Sequence, residues 1–217
     1  MQIQGPKLAA HDRLLTSRAT KLDISTPPPK QNLYCYVDET GQDTMGRLFI
    51  VSVVISEAER DALTAELEQI EHLSGKGKVK WIHTRHASRI AYIRAVLSAE
   101  AFRNALYFSA FSNTKSYMAM TVLSTARAIA MVARQPSEAT VYVDGLPKAR
   151  LRWFGVELRR LSIRTRKVVG IRREESEALM RLADACCDFV RLALSGQQPE
   201  VTGLFEKAKA DGNLREA

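Results

Sequence analysis

Three aspartates occupy positions where a charged side chain is unfavourable, and their placement indicates a functional site. Asp38 and Asp144 each end an apolar, β-branched stretch that predicts a strand, and a glycine follows closely in both cases. Asp184 lies in a small and apolar helical segment, where aspartate is disfavoured because its side chain competes for backbone hydrogen bonds. Buried carboxylates need a counter-charge, a proton or a metal ion. The simpler alternative for Asp38 is a turn acid before Gly41.

Carboxylates from two strand ends and a late helix are the ligands that two-metal phosphoryl chemistry requires. Because neither His nor Cys accompanies these oxygen donors, Mg²⁺ or Mn²⁺ is predicted over Zn²⁺. Asp38 would bridge both ions, while Asp144 and Asp184 would each hold one. Glu39 or Asp188 would complete a ligand shell, although strand alternation points Glu39 away from Asp38. The predicted catalytic residues are Asp38, Glu39, Asp144 and Asp184.

Alternating strand and helix patterns predict the scaffold that positions these acids. Apolar and β-branched runs predict five strands, at 34–41, 47–55, 105–111, 140–145 and 167–171. The short loop between the first two predicts an antiparallel hairpin. Ser56 and Glu59 form a capping-box pattern before a helix that ends near Leu73, and Ser176 is a candidate cap for the last long helix. Residues 79–82 are predicted to be extended. The fold class is therefore α/β, with a five-stranded mixed sheet flanked by helices.

Composition and length predict one domain with two peripheral ends. The chain has 217 residues, of which 46% are hydrophobic and 26% charged, a balance typical of a globular domain. Residues 1–31 are polar and basic and end in a proline run, which predicts a flexible N-terminal extension. The domain is predicted over 32–196, and 197–217 is predicted to be a C-terminal tail.

The sequence favours the cytoplasm and excludes a membrane protein. No apolar run approaches the roughly 20 residues of a membrane span, and no apolar signal region is present near the N-terminus. The three cysteines, Cys35, Cys186 and Cys187, are odd in number and two are adjacent. No disulfide framework is therefore expected, and buried free thiols are predicted.

Positive charge indicates a nucleic-acid partner, either RNA or DNA. The formal net charge is +8, which favours binding of a polyanion. Arginines concentrate between Asp144 and Asp184, and their planar guanidinium groups suit bidentate phosphate contacts. The alternative is a solvated helix face balanced by nearby glutamates. Lys80 would contact phosphate or serve as a strand-edge charge. The predicted nucleic-acid-binding residues are Lys80, Arg152, Arg159, Arg160, Arg164, Arg166 and Lys167.

Four short elements occur in an order that is known from other proteins. They are Asp38-Glu39-Thr40-Gly41, Lys80-Trp81, Asp144 at a strand end and Ala183-Asp184-Ala185 in the last long helix. In this order they resemble the "DES-G" signature, the lysine-tryptophan element, the mid-chain strand aspartate and the Ala-Asp motif of the DUF3800 family. The resemblance covers about residues 33–196.

The resemblance implies a ribonuclease H-like fold and metal-dependent nuclease activity that leaves a 3′-hydroxyl and a 5′-phosphate. Thr40 departs from the small residue usual in the first motif, and Cys186-Cys187 replaces a more aliphatic pair. Neither departure removes a carboxylate, so the implied metal ligands are intact.

Two other functions are compatible with the same residues. The first is a non-catalytic ribonuclease H-like module that binds nucleic acid or a partner protein in a defence or mobile-element system. The second is a phosphatase of small phosphoesters, which would need a closed pocket. His83 and His86 are three residues apart, but without an evident third ligand they are interpreted as surface histidines. A homodimer or a complex with a partner protein is also compatible with the sequence.

Overall fold

The computed structural model describes residues 29–57, 60–171 and 177–217. Residues 1–28 of the predicted extension lie outside the described residues, as do Glu59 of the predicted capping box and the predicted helix cap Ser176.

Six strands of the described residues form one mixed sheet, whose spatial order is β5-β4-β1-β2-β3-β6. β2 is antiparallel to β1 and β3, whereas β4 is parallel to β1 and β5 is parallel to β4. The predicted hairpin is confirmed, with Asp38 opposite Ser52. The strands are β1 (Gln31–Thr40), β2 (Leu48–Ser56), β3 (Leu106–Ser112), β4 (Ser137–Asp144), β5 (Thr165–Ile171) and β6 (Arg215–Glu216).

In the described part of the chain, six α-helices cover the two faces of the sheet. One core joins the sheet to α1, α2, α5 and α6, and a second core joins the opposite face to α3 and α4. The predicted mixed α/β class with flanking helices is therefore confirmed. The helices are α1 (Arg60–Leu73), α2 (His86–Ser98), α3 (Tyr117–Val132), α4 (Lys148–Arg160), α5 (Ala178–Leu194) and α6 (Pro199–Ala210).

The prediction of five strands and a peripheral C-terminal tail is wrong, because residues 199–216 pack into the domain. α6 buries Val201 and Phe205, and the Phe205 ring lies 5.4 Å from the ring of Phe108 in β3. β6 then pairs with β3 in parallel and supplies the sixth strand. The helical spacing of apolar residues in this segment provides the buried face.

Two local predictions are also wrong. Ser56 is the last residue of β2, where it pairs with Tyr34, so it does not cap α1, which begins at Arg60. Trp81–His83 is a short 3-10 helix instead of an extended piece. The reason is tertiary, because Trp81 is buried against the core and its backbone amide faces α5.

The long central helix α5 packs across β1 and β2 and is buried along most of its length. It therefore places a helical side chain directly above the strand ends that carry the predicted acids. Within the described ranges, no helix is long and apolar enough to cross a membrane.

Candidate active site

The parallel pairing of β1 and β4 brings Asp38 and Asp144 to the same edge of the sheet. Val37 is the register partner of Val143, so the two aspartates follow at adjacent positions. Both lie on the face that carries Tyr36 and Tyr142, whose rings stack with their centroids 5.0 Å apart. Strand alternation then directs both carboxylates toward the α5 side of the sheet.

α5 contributes Asp184 to the same place. The Ser52 hydroxyl, which is fully buried, donates a hydrogen bond to the Ala183 carbonyl at 2.6 Å. Because Ser52 is the β2 partner of Asp38, this bond fixes the turn of α5 that carries Asp184. The backbone N–H of Trp81 donates to the Asp184 carboxylate at 3.3 Å, which ties that side chain to the loop before α2.

The surroundings of Asp38 disfavour its charged form. Asp38 is only 8% exposed, and burial raises its pKa well above the ordinary value. The negative charges of Asp184, Asp144 and Glu39 raise this pKa further, while a hydrogen bond from the Glu39 backbone lowers it. Like charges act in this way only when they lie close together in a weakly screened environment.

Glu39 also lies near Asp38 and Asp144, although strand alternation points its side chain away from Asp38. Burial and the charge of Asp144 raise the pKa of Glu39 to about 7, and a hydrogen bond from Gln42 opposes them. Gln42 Nε2 lies 3.2 Å from Glu39 Oε1, whereas Oε2 is buried without a hydrogen-bond donor among the described residues. A buried carboxylate oxygen without a donor is free to accept a proton or a cation.

Asp188 extends the acidic group along α5. Burial and the charge of Asp184 raise the pKa of Asp188, while Arg191, Arg89 and Lys80 lower it. Lys80 therefore lies near the acids, and its contact with a substrate stays a prediction.

The acids present only oxygen donors, but they do not form a ready-made metal cage. Across residues 29–57, 60–171 and 177–217, no group of three or more His, Cys, Asp and Glu side chains is arranged to hold a metal ion. The metal ligands Asp38, Asp144 and Asp184 therefore stay a prediction. His83 and His86 are both exposed, as expected for surface histidines.

The predicted nucleic-acid-binding residues do not form a single surface. Lys80 lies by Asp188, whereas four others line a groove of about 260 Å³ between α4 and the edge strand β5. Arg160 pairs with Glu157 at 2.8 Å, and Arg164 lies near Glu138. The groove residues are Arg152, Arg159, Arg166 and Lys167.

The residues that hold the acids in position were not predicted from the sequence. Ser52 interrupts an apolar strand, which was its only local signal. Cys187 donates from its thiol to the Asp38 carbonyl at 3.1 Å, which links α5 to β1 as Ser52 links it to β2. All three cysteines are free and buried, as predicted. Burial raises the pKa of the Cys187 thiol well above its ordinary value, so the thiol stays protonated and serves as a donor.

Comparison with known proteins gives likeness at the level of structure. No family model and no curated protein matches the chain. Ribonuclease HII of Archaeoglobus fulgidus, solved in complex with PCNA, is 14% identical, with a TM-score of 0.46 over 83% of this chain and 90% of that one. Ribonuclease H2 of Pyrococcus horikoshii OT3 is 10% identical, with a TM-score of 0.49 over 81% and 86% of the two chains. Likeness at this level does not identify an activity, and the resemblance to DUF3800 stays a prediction.

Proposed function

We propose that the protein is a divalent-metal-dependent nuclease of the DUF3800 type that hydrolyses phosphodiester bonds in RNA or DNA. The observation that carries this proposal is the accumulation of negative charge around Asp38. The charges of three further carboxylates raise the pKa of Asp38, whose side chain is already buried. Such an arrangement destabilises the fold unless protons or cations neutralise it.

The donor set fits Mg²⁺ or Mn²⁺. All the converging side chains offer carboxylate oxygens, which these hard cations prefer. Asp38, Asp144 and Asp184 would hold the metal, and the free Glu39 Oε2 would add a ligand. The acids would have to rearrange to hold a cation, because the described side chains form no ready-made metal cage. When bound, the cation would neutralise charge on the phosphodiester and on its leaving oxygen.

The remaining residues of the site would position the acids and the substrate. Ser52 and the Trp81 amide hold the Asp184 turn against β1 and β2. Lys80 lies near Asp188 and would contact a phosphate next to the acids. The basic groove between α4 and β5, which lies on the opposite face of the sheet, would hold a more distant part of the nucleic-acid backbone.

A nuclease assay with single alanine variants tests this function. Purified protein would be incubated with labelled RNA and DNA, single- and double-stranded, in millimolar Mg²⁺ or Mn²⁺. We expect cleavage by the wild type and a loss of at least about 100-fold in Asp38→Ala, Asp144→Ala and Asp184→Ala. Asp61→Ala removes an exposed acid from α1 and should cleave normally. Equal behaviour of the wild type and all variants on every substrate would refute the proposal.

The alternative is a non-catalytic module that binds nucleic acid. The specific observation in its favour is that the described acids form no ready metal cage while basic side chains line the α4–β5 groove. It predicts salt-sensitive binding that survives the loss of Asp38, with no cleavage by the wild type. Association with itself or with a partner protein, and a cytoplasmic location, stay predictions.

A further inference from the structure

A second groove opens next to the acids, along α5 and the loop before α2. Its volume is about 430 Å³, and its lining includes Asp188, Arg89, Arg191, Ile82 and Gln197. This volume falls in the range of pockets that bind a small organic ligand. Asp188 belongs both to this groove and to the acidic group, so a ligand in the groove would lie beside the acids.

The cations of this groove are held in place by the protein. Arg191 donates to the Thr40 hydroxyl at 3.2 Å and pairs with Asp43 at 2.9 Å. These contacts place its guanidinium group at the end of β1, two residues beyond Asp38. The side chain is fixed before any ligand arrives, which lowers the entropy lost on binding.

Arg89 is an ordered cation that forms no salt bridge with the described carboxylates, although Asp188 lies near it. Its guanidinium carbon lies 5.6 Å from the ring centre of Trp81, and one Nη donates to the Ile82 carbonyl at 2.8 Å. Its Nε is buried without a hydrogen-bond acceptor among the described residues, and none of their carboxylates forms a salt bridge with it. A buried donor that makes no hydrogen bond is unfavourable, so an anion that accepts from this Nε would be favoured in the groove.

The same groove has an apolar side. Ile82 is 68% exposed, which is unusual for a large aliphatic residue, and the buried Trp81 lies next to it in the chain. An exposed apolar surface beside arginines is the combination on which unpaired bases pack in single-strand-binding sites.

The charges also run in order toward this groove. The charges of Asp144 and Asp184 raise the pKa of Asp38, and the charge of Asp184 also raises the pKa of Asp188. Asp188 in turn lies near Arg89 and Arg191. The Arg89 groove therefore adjoins the acids, whereas the α4–β5 groove lies on the opposite face of the sheet. A strand that crosses the acids would meet positive charge in the Arg89 groove.

We propose that the groove binds one nucleotide of a single strand, next to the phosphodiester that the acids hydrolyse. Its phosphate lies on Arg89 and Arg191, and its base packs on Ile82. This inference rests on the proposed nuclease function and gives it a substrate class, which is nucleic acid that is single-stranded beside the cleavage site.

Binding is measured without cleavage by placing every variant in an Asp38→Asn background. The probes are fluorescein-labelled oligo(U) and oligo(dT) of about 12 nucleotides, a length within the range that single-strand-binding folds cover. A duplex of the same length serves as the third probe, and fluorescence anisotropy gives the affinity at several salt concentrations.

We expect Arg89→Ala to weaken single-strand binding about tenfold and to reduce the magnitude of the salt slope by about one. Ile82→Ala should weaken binding without changing the slope. Arg94→Ala is the matched control, since it removes the same charge from α2 at an exposed residue paired with Glu200. It should bind like the background protein.

Gln197→Glu keeps the test valid if Arg89→Ala folds poorly. Gln197 is exposed, so a negative charge there should weaken binding without disturbing the core. Unchanged single-strand affinity in both variants overturns the inference, and so does a preference for duplex that neither variant affects.

The two proposals fail in different ways. If the wild type cleaves nothing while Arg89→Ala still weakens binding, the nuclease function fails and the groove stands. If the wild type cleaves single strands and Arg89→Ala cleaves and binds them equally well, the groove fails and the nuclease function stands.

Discussion

Ser52 Oγ lies 2.6 Å from the carbonyl oxygen of Ala183, across 131 residues of sequence. One partner sits opposite Asp38 in the sheet, and the other immediately precedes Asp184 in α5. This buried hydrogen bond therefore couples the position of the helical acid to that of the strand acid.

Ser52→Ala should both destabilise the fold and impair the site. Loss of a buried hydrogen bond is expected to lower the free energy of unfolding by about 1–2 kcal/mol. Cleavage should fall more than stability explains, because Asp184 is released from its register with Asp38. Ser124→Ala is the matched control, since that buried hydroxyl has no hydrogen-bond partner among the described residues. Urea unfolding and the nuclease assay measure the two effects, and equal behaviour of the two variants would contradict the prediction.

Glu39 should make the metal-free protein less stable as pH rises. Its pKa is raised from 4.5 to about 7 on folding, so the folded protein binds the proton more tightly than the unfolded chain. The resulting stabilisation, about 3 kcal/mol, is fully present below the unfolded pKa and is lost as pH rises through about 7.

Glu39→Gln should remove this part of the pH dependence in urea unfolding with EDTA. Asp38 should retain a dependence of the same sign, because its pKa is also raised. Glu206→Gln, at an exposed residue of α6, should leave the wild-type curve unchanged. A Glu39→Gln curve that parallels the wild type would show that Glu39 does not titrate in this way.

Mg²⁺ or Mn²⁺ should stabilise the folded protein through the acids. Metal at about 100 times its Kd adds about 2.7 kcal/mol to the free energy of unfolding, which corresponds to a rise of about 5–10 °C in Tm for a chain of this size. Asp38→Asn should abolish the rise, while Asp61→Asn should keep it. Thermal scans against KCl of matched ionic strength provide the measurement. An undiminished shift in Asp38→Asn would place the metal elsewhere.

Substitution of Glu71 should be far more damaging than substitution of its neighbour Glu68. Glu71 is buried between Lys76, at 3.1 Å, and Arg181, at 2.6 Å. Removal of its charge leaves two cations without their shared carboxylate, so Glu71→Gln should cost about 3–5 kcal/mol of unfolding free energy. Glu68 pairs with Lys78 at the surface, and Glu68→Gln should cost less than about 1 kcal/mol.

Disruption of the network formed by Glu71, Lys76 and Arg181 should also disturb the candidate active site. Lys76 Nζ donates to the carbonyls of Gly77 and Val79 at 3.4 and 3.1 Å, which orders the loop that leads to Trp81. A Glu71→Gln protein that matches Glu68→Gln in urea unfolding would show that the network is not important for stability.

The α4–β5 groove should supply salt-dependent affinity. Arg152→Ala with Arg166→Ala removes two of its cations, so the magnitude of the salt slope for nucleic-acid binding should fall by about two. Arg103→Ala with Lys207→Ala removes two exposed, ion-paired cations elsewhere and should leave the slope unchanged. If both double variants change the slope equally, the groove has no special role.

The sequence by itself determined the elements and the strand-borne acids. Alternating patterns predicted the α/β class and the hairpin, because hydrophobic periodicity is a local property. Asp38 and Asp144 were identified by their place at the ends of apolar runs, and Asp184 by its unsuitability inside a helix. The C-terminal strand was missed, because two residues carry no periodic signal and pair only when β3 is already in place.

Only the tertiary structure decided which charges meet. The charge of Glu39 raises the pKa of Asp38 although strand alternation points the Glu39 side chain away from it. Lys80 lies near Asp188, far from the other predicted cations. Ser52 holds the Asp184 turn through a contact 131 residues distant in sequence. Such contacts depend on how distant segments pack, and packing across a sheet leaves no pattern in either segment alone.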